Sequence, residues 1–191
     1  ALETIQHETE IPIIGVVEPG ARVAGRTTRN KRIGLIGTRA TVKSGLYQKM
    51  IKMADAEIEV IGQPCPLFVP LAEEGWVKDP VTVEVAKRYL EPLLQQDIDT
   101  LILGCTHYPL LRSMLRQVAG EKVTLVNPAY ETALELRRLL QEKGLEHEGK
   151  EEEEFPYRFF VSDEEEHFQE FANSILPYDV KTAKQIRIEE Y

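Results

Sequence analysis

Short apolar runs alternate with longer amphipathic stretches along the chain. Strand-length runs occupy residues 11–17, 32–36, 57–61, 99–104, 123–126 and 157–161. Apolar residues recur at helical spacing over residues 41–54, 79–96, 109–118, 127–143 and 164–176. Strands that alternate with helices of about ten or more residues are typical of βαβ units and a mainly parallel sheet. The pattern therefore predicts an α/β fold.

Capping residues mark several of the predicted helix boundaries. Asp79 and Asn127 each precede a proline, which predicts an N-cap followed by Pro at the first helical position. Gly144 is predicted to end the helix that begins after Asn127.

Small and polar residues follow two of the predicted strands. In parallel sheets, ligands bind beyond the carboxyl ends of the strands, so these residues are the candidates for a functional site. They are Gly37, Thr38 and Thr41 after the strand at 32–36, and Gly104, Cys105, Thr106 and His107 after the strand at 99–104.

Cys105 lies where a buried strand ends and a predicted helix begins. The unpaired N–H groups of that helix would favour a thiolate, and His107 could orient or protonate a reacting group. A small buried hydrophobe is the plain alternative for a lone cysteine. A nucleophilic Cys–His pair, as in thiol hydrolases, is another. A metal site on Cys65, Cys105 and His107 is less favoured, because the close paired spacing of structural zinc sites is missing.

The remaining candidates have ordinary structural explanations beside the functional ones. Thr38 and Thr41 could hold a carboxylate with their hydroxyl and N–H groups, or could simply cap a helix. Glu73, in a stretch that resembles a loop, fits a solvated surface. Cys65, between two prolines, favours packing over chemistry.

Composition and charge narrow the class of protein. The chain has 191 residues, 42% of them hydrophobic and 29% charged, which is typical of a soluble protein with a sizeable core. With 23 Lys and Arg against 32 Asp and Glu, the net charge is −9. No basic stripe stands out, so nucleic acid is not an expected partner. The acidic runs at 151–154 and 163–166 fit a solvated loop and the first turn of a helix.

Compartment is predicted from the cysteines and the apolar runs. Two cysteines are too few for the disulfide framework of a secreted domain. The apolar runs are shorter than the roughly 18 residues that span a membrane. Residues 1–10 show no signal-peptide pattern. A cytoplasmic location without membrane attachment is therefore expected.

Residues 101–111, which contain Gly-Cys-Thr-His-Tyr-Pro at 104–109, resemble the second cysteine motif of the glutamate racemases. Residues 33–42 resemble the family's carboxylate-binding loop. Residues 64–75 resemble the segment that supplies a helper glutamate, and residues 126–129 and 161–163 also match in order. The likeness extends over essentially the whole chain.

The resemblance implies a cofactor-independent enzyme that interconverts L- and D-glutamate and supplies D-glutamate for peptidoglycan. In such enzymes one thiolate removes the Cα proton while a second thiol delivers a proton to the opposite face. Cys105 would be the base for L-glutamate, assisted by His107, with Glu73 as a polar helper. Residues expected to contact the substrate are Thr38, Thr41, Thr106 and His107.

The resemblance also implies two α/β domains with the site between them. Residues 20–126 would form a complete domain that carries Cys105, while 1–19 and 127–191 would be remnants of the other. Family chains open with a strand ending in Asp-Ser-Gly and carry a later Cys-Asn-Thr with the first thiol. Neither motif occurs here, so the first domain is expected to be incomplete. We therefore expect that these 191 residues alone do not racemise glutamate, and that they expose apolar surface that favours association.

Other functions remain open at the level of sequence. An aspartate or hydantoin racemase of the same superfamily would share the motifs. A non-catalytic module that binds a dicarboxylate, or a thiol hydrolase, would use the same residues differently. Glutamate is the expected partner, and a homodimer is one assembly compatible with the sequence.

Overall fold

The computed structural model describes residues 2–147 and 157–190. The acidic run at 151–154 lies outside the described residues. By their contacts the residues form two compact units, Ala1–Glu146 and His147–Tyr191, and each is described by itself. The predicted division into 20–126 against 1–19 and 127–191 stays a prediction.

The first unit is built on a parallel sheet of four strands in the order β2-β1-β3-β4. The strands are β1 Arg32–Gly37, β2 Glu59–Pro64, β3 Thr100–Gly104 and β4 Thr124–Val126. In the register of the ladder, Gly37 pairs with both Pro64 and Gly104. The ends of β1, β2 and β3 therefore lie side by side at one edge, as the α/β pattern predicts.

Helices cover both faces of this sheet. The helices of this unit are α1 Leu2–Glu8, α2 Val17–Thr27, α3 Arg39–Ser44, α4 Leu46–Ala54, α5 Phe68–Glu73, α6 Pro80–Leu94, α7 Arg112–Ala119 and α8 Pro128–Lys143, with a 3-10 helix at Tyr108–Leu111. One core cluster lies under α5, α6 and α7, and the other under α2 and α4. This is the layered α/β arrangement expected from the sequence.

The two central strands supply both cores because successive strand residues point to opposite faces. In β3, Leu101 and Leu103 belong to the cluster under α5, α6 and α7, whereas Ile102 belongs to the cluster under α2 and α4. All three are at most 1% exposed. Continuous burial of this kind is characteristic of a parallel sheet covered on both sides.

Several predicted boundaries are confirmed. Asp79 caps α6 by accepting a hydrogen bond from the Val81 N–H at 2.8 Å, and Asn127 caps α8 in the same way. Gly144 ends α8 in the left-handed region, at φ 63°. Such a backbone conformation has little cost for glycine.

The predicted strand at 11–17 is wrong. Ile11 and Val16 are 73% and 60% exposed, and the described part of the chain holds no strand paired with this segment. Pro12 has no N–H for a ladder hydrogen bond. The segment is instead a connection between α1 and α2.

Two of the predicted helices are interrupted. The stretch 41–54 divides into α3 and α4 at Gly45, whose φ of 66° is left-handed and ends the first helix. The stretch from 109 starts as the 3-10 helix, and α7 begins only at Arg112. Glu73, predicted in a loop, is the last residue of α5.

The second unit has a two-stranded parallel sheet, β5 Phe159–Val161 with β6 Ala183–Gln185. Helix α9, Glu165–Ile175, packs on it through Phe159 and Phe168, whose ring centroids are 5.8 Å apart. A short 3-10 helix follows at Ile188–Glu190. The strand at 157–161 and the helix at 164–176 are confirmed to within about two residues at each end, whereas β6 has no counterpart in the sequence pattern.

Candidate active site

The candidate site lies at the sheet edge where β1, β2 and β3 end. The residues that follow these strands are Thr38, Cys65 and Cys105. The Cys65 N–H donates to the Gly37 carbonyl at 2.9 Å, which continues the pairing of β2 with β1 one residue beyond the ladder. The chain thus brings both cysteines to one edge.

Thr38 and Thr41 form the boundary of this edge on the β1 side. Thr38 is the N-cap of α3 and accepts from the Thr41 N–H at 3.2 Å, and the two hydroxyl oxygens are 3.0 Å apart. A Cβ added to Gly104 would lie 3.5 Å from the Thr41 methyl carbon, so Thr41 lies directly beside the end of β3. The capping explanation holds for Thr38, and carboxylate binding by the pair stays a prediction.

Cys105 is a free, partly buried thiol. Its Sγ lies 3.9 Å from Nδ1 of His107, and its carbonyl accepts from the Tyr108 N–H at 3.2 Å. Because the segment after Cys105 is a tight turn and a 3-10 helix, the expected α-helix N-terminus at residue 109 is not its neighbour. The group next to the thiol is the imidazole of His107.

His107 links the thiol to a carboxylate. Its Nε2 lies 3.0 Å from Oε1 of Glu73, and its Nδ1 also lies 3.4 Å from the Thr106 hydroxyl. The His107 and Glu73 side chains are 22% and 34% exposed, so the contact is only partly shielded from water. An Nε2–H donated to Glu73 leaves Nδ1 facing the sulfur, where it accepts a proton as neutral imidazole or donates one as imidazolium.

Cys65 is chemically different from Cys105. It is fully buried, and its thiol donates to the Gln63 carbonyl at 3.4 Å. Burial raises the pKa of the Cys65 thiol, because the thiolate would be poorly solvated. The expectation that Cys65 packs rather than reacts agrees with these surroundings.

The sequence interpretation did not single out Tyr108, although it belongs to the cysteine motif. Its ring is completely buried and its hydroxyl donates to the Cys65 carbonyl at 2.9 Å. Burial raises the pKa of the Tyr108 hydroxyl, and the neighbouring thiols of Cys65 and Cys105 add to the rise. A tyrosine inside a buried motif is the signal that could have found it, since a buried phenol needs a hydrogen-bond partner.

The arrangement supplies acid–base groups. Among residues 2–147 and 157–190, no group of three or more His, Cys, Asp and Glu side chains is placed to hold a metal ion. Across the same residues, no helix is both long and apolar enough to cross a membrane. Thiol, imidazole and carboxylate, in contact at a parallel-sheet edge, are groups that can accept and donate protons.

Comparison with known proteins identifies the class. The sequence model described as Asp/Glu/Hydantoin racemase matches residues 1–136. The chain belongs to this family.

Several proteins that are similar to this chain are glutamate racemases. A glutamate racemase of Geobacter metallireducens is 43% identical over 189 residues, which are 99% of this chain and 69% of the relative. A glutamate racemase isoform of Bacillus anthracis has a solved structure with a TM-score of 0.89 at 36% identity, over 98% of this chain and 69% of that one. The structure of Francisella tularensis glutamate racemase with D-glutamate has a TM-score of 0.87 at 31% identity, over 99% of this chain and 70% of that one.

Proposed function

We propose that these residues form the Cys105 side of a glutamate racemase site. The observation that carries the proposal is the continuous contact from Cys105 through His107 to Glu73 at the edge where β1 and β3 end. The glutamate racemases among its relatives support glutamate over aspartate or hydantoin substrates. D-glutamate in the Francisella complex supports a free amino acid as ligand.

The proposed reaction is proton transfer at Cα. The Cys105 thiolate takes the Cα proton of L-glutamate, and the electron pair of the broken C–H bond is left on a carbanion-like intermediate. His107 supports the thiolate through Nδ1, and Glu73 orients the ring through Nε2. Thr38, Thr41 and Thr106 are the proposed contacts for the carboxylates or amino group. No cofactor is required, because a second thiol returns a proton to the opposite face.

That second thiol is not provided within the 191 residues. The chain has two cysteines, and Cys65 is fully buried beneath the edge. We therefore expect no racemisation by the isolated 191-residue polypeptide. Interconversion of glutamate enantiomers that survives Cys65→Ala would contradict the two-thiol assignment.

The wider role follows from the proposed activity. D-glutamate formed at this site would supply peptidoglycan synthesis, in cell-wall biogenesis and maintenance of bacterial cell shape. A cytoplasmic location is proposed because both cysteines are free and proton transfer needs a reduced Cys105. The proposed partner is the amino acid, and a homodimer is the proposed assembly, which sedimentation measurements can test.

Substrate protection of Cys105 tests the proposal. The 191-residue polypeptide is alkylated with iodoacetamide, and mass spectrometry quantifies modification at Cys105 with and without millimolar glutamate. Bound glutamate should cover the sulfur and slow modification. Thr41→Val should weaken the protection, because it removes one of the proposed carboxylate contacts.

Aspartate serves as the matched ligand, being one methylene shorter. Protection by glutamate that exceeds protection by aspartate supports the proposed substrate. Equal protection by both would favour another racemase of the family. Modification of Cys105 at the same rate with and without glutamate would contradict the proposed site.

A further inference from the structure

The buried hydroxyl of Tyr108 joins two segments of the candidate site. Through its backbone N–H, Tyr108 closes the turn that begins at Cys105, with N···O 3.2 Å. Through its side chain it reaches the end of β2, where its hydroxyl donates to the Cys65 carbonyl at 2.9 Å. One residue thus connects the thiol-bearing turn with the segment that precedes α5.

The Cys65 carbonyl is also the anchor of α5. It accepts a second hydrogen bond, from the N–H of Phe68, the first residue of that helix, at 3.2 Å. The Phe68 ring meets the Tyr108 ring edge-on, with centroids 5.3 Å apart and planes at 87°. Glu73 is the last residue of the same short helix. The start of α5 is therefore fixed against Tyr108, and its end carries the carboxylate that meets His107.

These contacts form a closed circuit of interactions that begins and ends at His107. His107 precedes Tyr108 in the chain, Tyr108 holds the Cys65 carbonyl, this carbonyl holds α5, and α5 returns to His107 through Glu73 at 3.0 Å. Loss of the hydrogen bond from the Tyr108 hydroxyl to the Cys65 carbonyl would let α5 shift relative to the turn that carries Cys105 and His107. A shift of a few tenths of an ångström is enough to weaken a hydrogen bond of this length.

We propose that Tyr108 is a positioning residue, whose hydroxyl holds Glu73 in register with His107 and so sets the reactivity of Cys105. The proposal rests on the proposed role of Cys105. It is tested without substrate, so a failure of the racemase assignment leaves the test intact.

Tyr89 provides a matched control. Its ring also meets Phe68 edge-on, at 5.3 Å and 86°, and its hydroxyl accepts from the Leu67 N–H at 3.4 Å. It therefore also contacts the start of α5 through its ring and its hydroxyl, although this hydroxyl accepts a hydrogen bond whereas that of Tyr108 donates one. It belongs to α6, however, and is not part of the turn that carries Cys105 and His107.

The experiment is a double-mutant cycle on the rate of Cys105 alkylation at pH 7 in the full 191-residue chain. Tyr108→Phe should slow alkylation about threefold, because a misplaced Glu73–His107 pair supports the thiolate less well, and coupled residues share such effects. In a Glu73→Gln background the same substitution should have no further effect. Tyr89→Phe should leave the rate unchanged in both backgrounds.

A residue that merely stabilises the fold would give a different result. Additive effects of Tyr108→Phe and Glu73→Gln, or an equal effect of Tyr89→Phe, would overturn the proposal. Alkylation of Cys105 that becomes faster on Tyr108→Phe, both in the parent chain and in the Glu73→Gln background, would also overturn it. Urea unfolding of each variant shows which ones are folded at the assay temperature.

A second measurement leaves Tyr108 unchanged, in case its variant does not fold. By reciprocity, loss of the Glu73 carboxylate should loosen the Tyr108 hydroxyl bond. NMR should then show faster exchange of the Tyr108 hydroxyl proton in Glu73→Gln than in the parent chain. An unchanged exchange rate would overturn the coupling.

Discussion

Cys65 and Cys105 follow strands at the same sheet edge, yet their surroundings give them different chemistry. Strand β1 lies between β2 and β3. With about 4.8 Å between neighbouring strands, the ends of β2 and β3, which the two cysteines follow, are separated by about 9 to 10 Å. This exceeds the roughly 7 Å limit for a disulfide without backbone movement. The pair is therefore not a redox couple in this fold, and Cys105 keeps a free thiol.

Glycine at 104 is required by close packing at the end of β3. A Cβ added there would lie 2.8 Å from both the Ile36 carbonyl oxygen and the Leu35 Cδ1. Gly104→Ala should lower the free energy of unfolding by about 1 to 3 kcal/mol, because the backbone must move to relieve the contact. It should also displace the neighbouring Cys105 and change its alkylation rate. Urea denaturation and thiol modification measure the two effects.

Gly25 is the control for this substitution. A Cβ at Gly25 would lie 3.8 Å from Ile58 Cδ1, which is ordinary contact. In the interior of α2, Gly25→Ala should therefore stabilise the chain by about 0.4 to 1 kcal/mol. Equal stability changes at the two positions would show that the β3 end has more room than the structure indicates.

At the scale of elements, Asp99 ties the start of β3 to the loop after α2. Its carboxylate accepts from the Thr28 hydroxyl at 2.7 Å and from the N–H groups of Arg29 and Asn30 at 2.6 and 2.9 Å. Burial alone would raise the pKa of Asp99. The hydrogen bonds from Thr28, Asn30, Arg29 and Thr100 outweigh burial and lower it. The strand that carries Cys105 is thus anchored at its opposite end by a charged cap.

Asp99→Asn should destabilise the chain by about 1 to 3 kcal/mol at neutral pH, the range for hydrogen bonds to a charged group. Because the folded carboxyl has the lower pKa, its contribution is complete above the unfolded value of about 4 and is lost as pH falls through the folded value. The stability difference between parent and variant should therefore shrink on acidification. Asp97→Asn, at an exposed position nearby, is the control. A constant difference between pH 7 and pH 3 would contradict this account.

The sequence predicted elements well where periodicity and caps agreed. The central strands β1 and β3 read as continuous apolar runs because both faces are covered, and α6 and α8 have an unambiguous Asp or Asn followed by Pro. Helix α2 was not predicted from the sequence, because Pro19 and Gly20 resemble helix breakers. In its first turn Pro19 has no N–H bond to lose, and a Cβ at Gly20 would lie 2.8 Å from the Pro128 side chain.

Some residues of the candidate site could be predicted from local sequence, and others could not. Thr38, Cys105 and His107 follow strands, so local sequence indicates them. Glu73 looks like an ordinary surface glutamate, and only the resemblance to the racemases gave it a role. Its contact with His107 joins residues 34 positions apart. Local sequence does not encode such a separation, which depends on how α5 packs against the 3-10 helix.

At the scale of the whole molecule, buried tyrosine hydroxyls and a buried cysteine thiol make the stability of the fold sensitive to high pH. Burial raises the pKa of Tyr47 to about 12, and raises those of Cys65 and Tyr108 as well. A raised pKa means that the unfolded chain loses its proton first. Stability should therefore be unaffected below pH of about 8.5, the ordinary cysteine value. It should fall as pH rises from there, and more steeply above about 10, where the tyrosines of the unfolded chain also ionise.

Tyr47→Phe isolates one contribution to this effect. The variant should lose less stability than the parent between pH 9 and pH 11, as measured by urea unfolding midpoints. Absorbance near 295 nm should show late-ionising tyrosines in the folded parent, with one fewer in the variant's titration. Identical pH profiles for the two chains would place Tyr47 in contact with water.

The central claim is that Cys105 transfers the Cα proton of glutamate. Its most direct test is a fusion of residues 1–191 with the part of the Geobacter metallireducens racemase that this chain does not match, assayed by chiral chromatography of glutamate. We predict that the fusion interconverts the enantiomers, that Cys105→Ser slows it by about 10²- to 10⁴-fold as expected for a lost acid–base group, and that Cys65→Ala keeps the rate. A Cys105→Ser fusion that racemises glutamate as fast as its parent would contradict the claim.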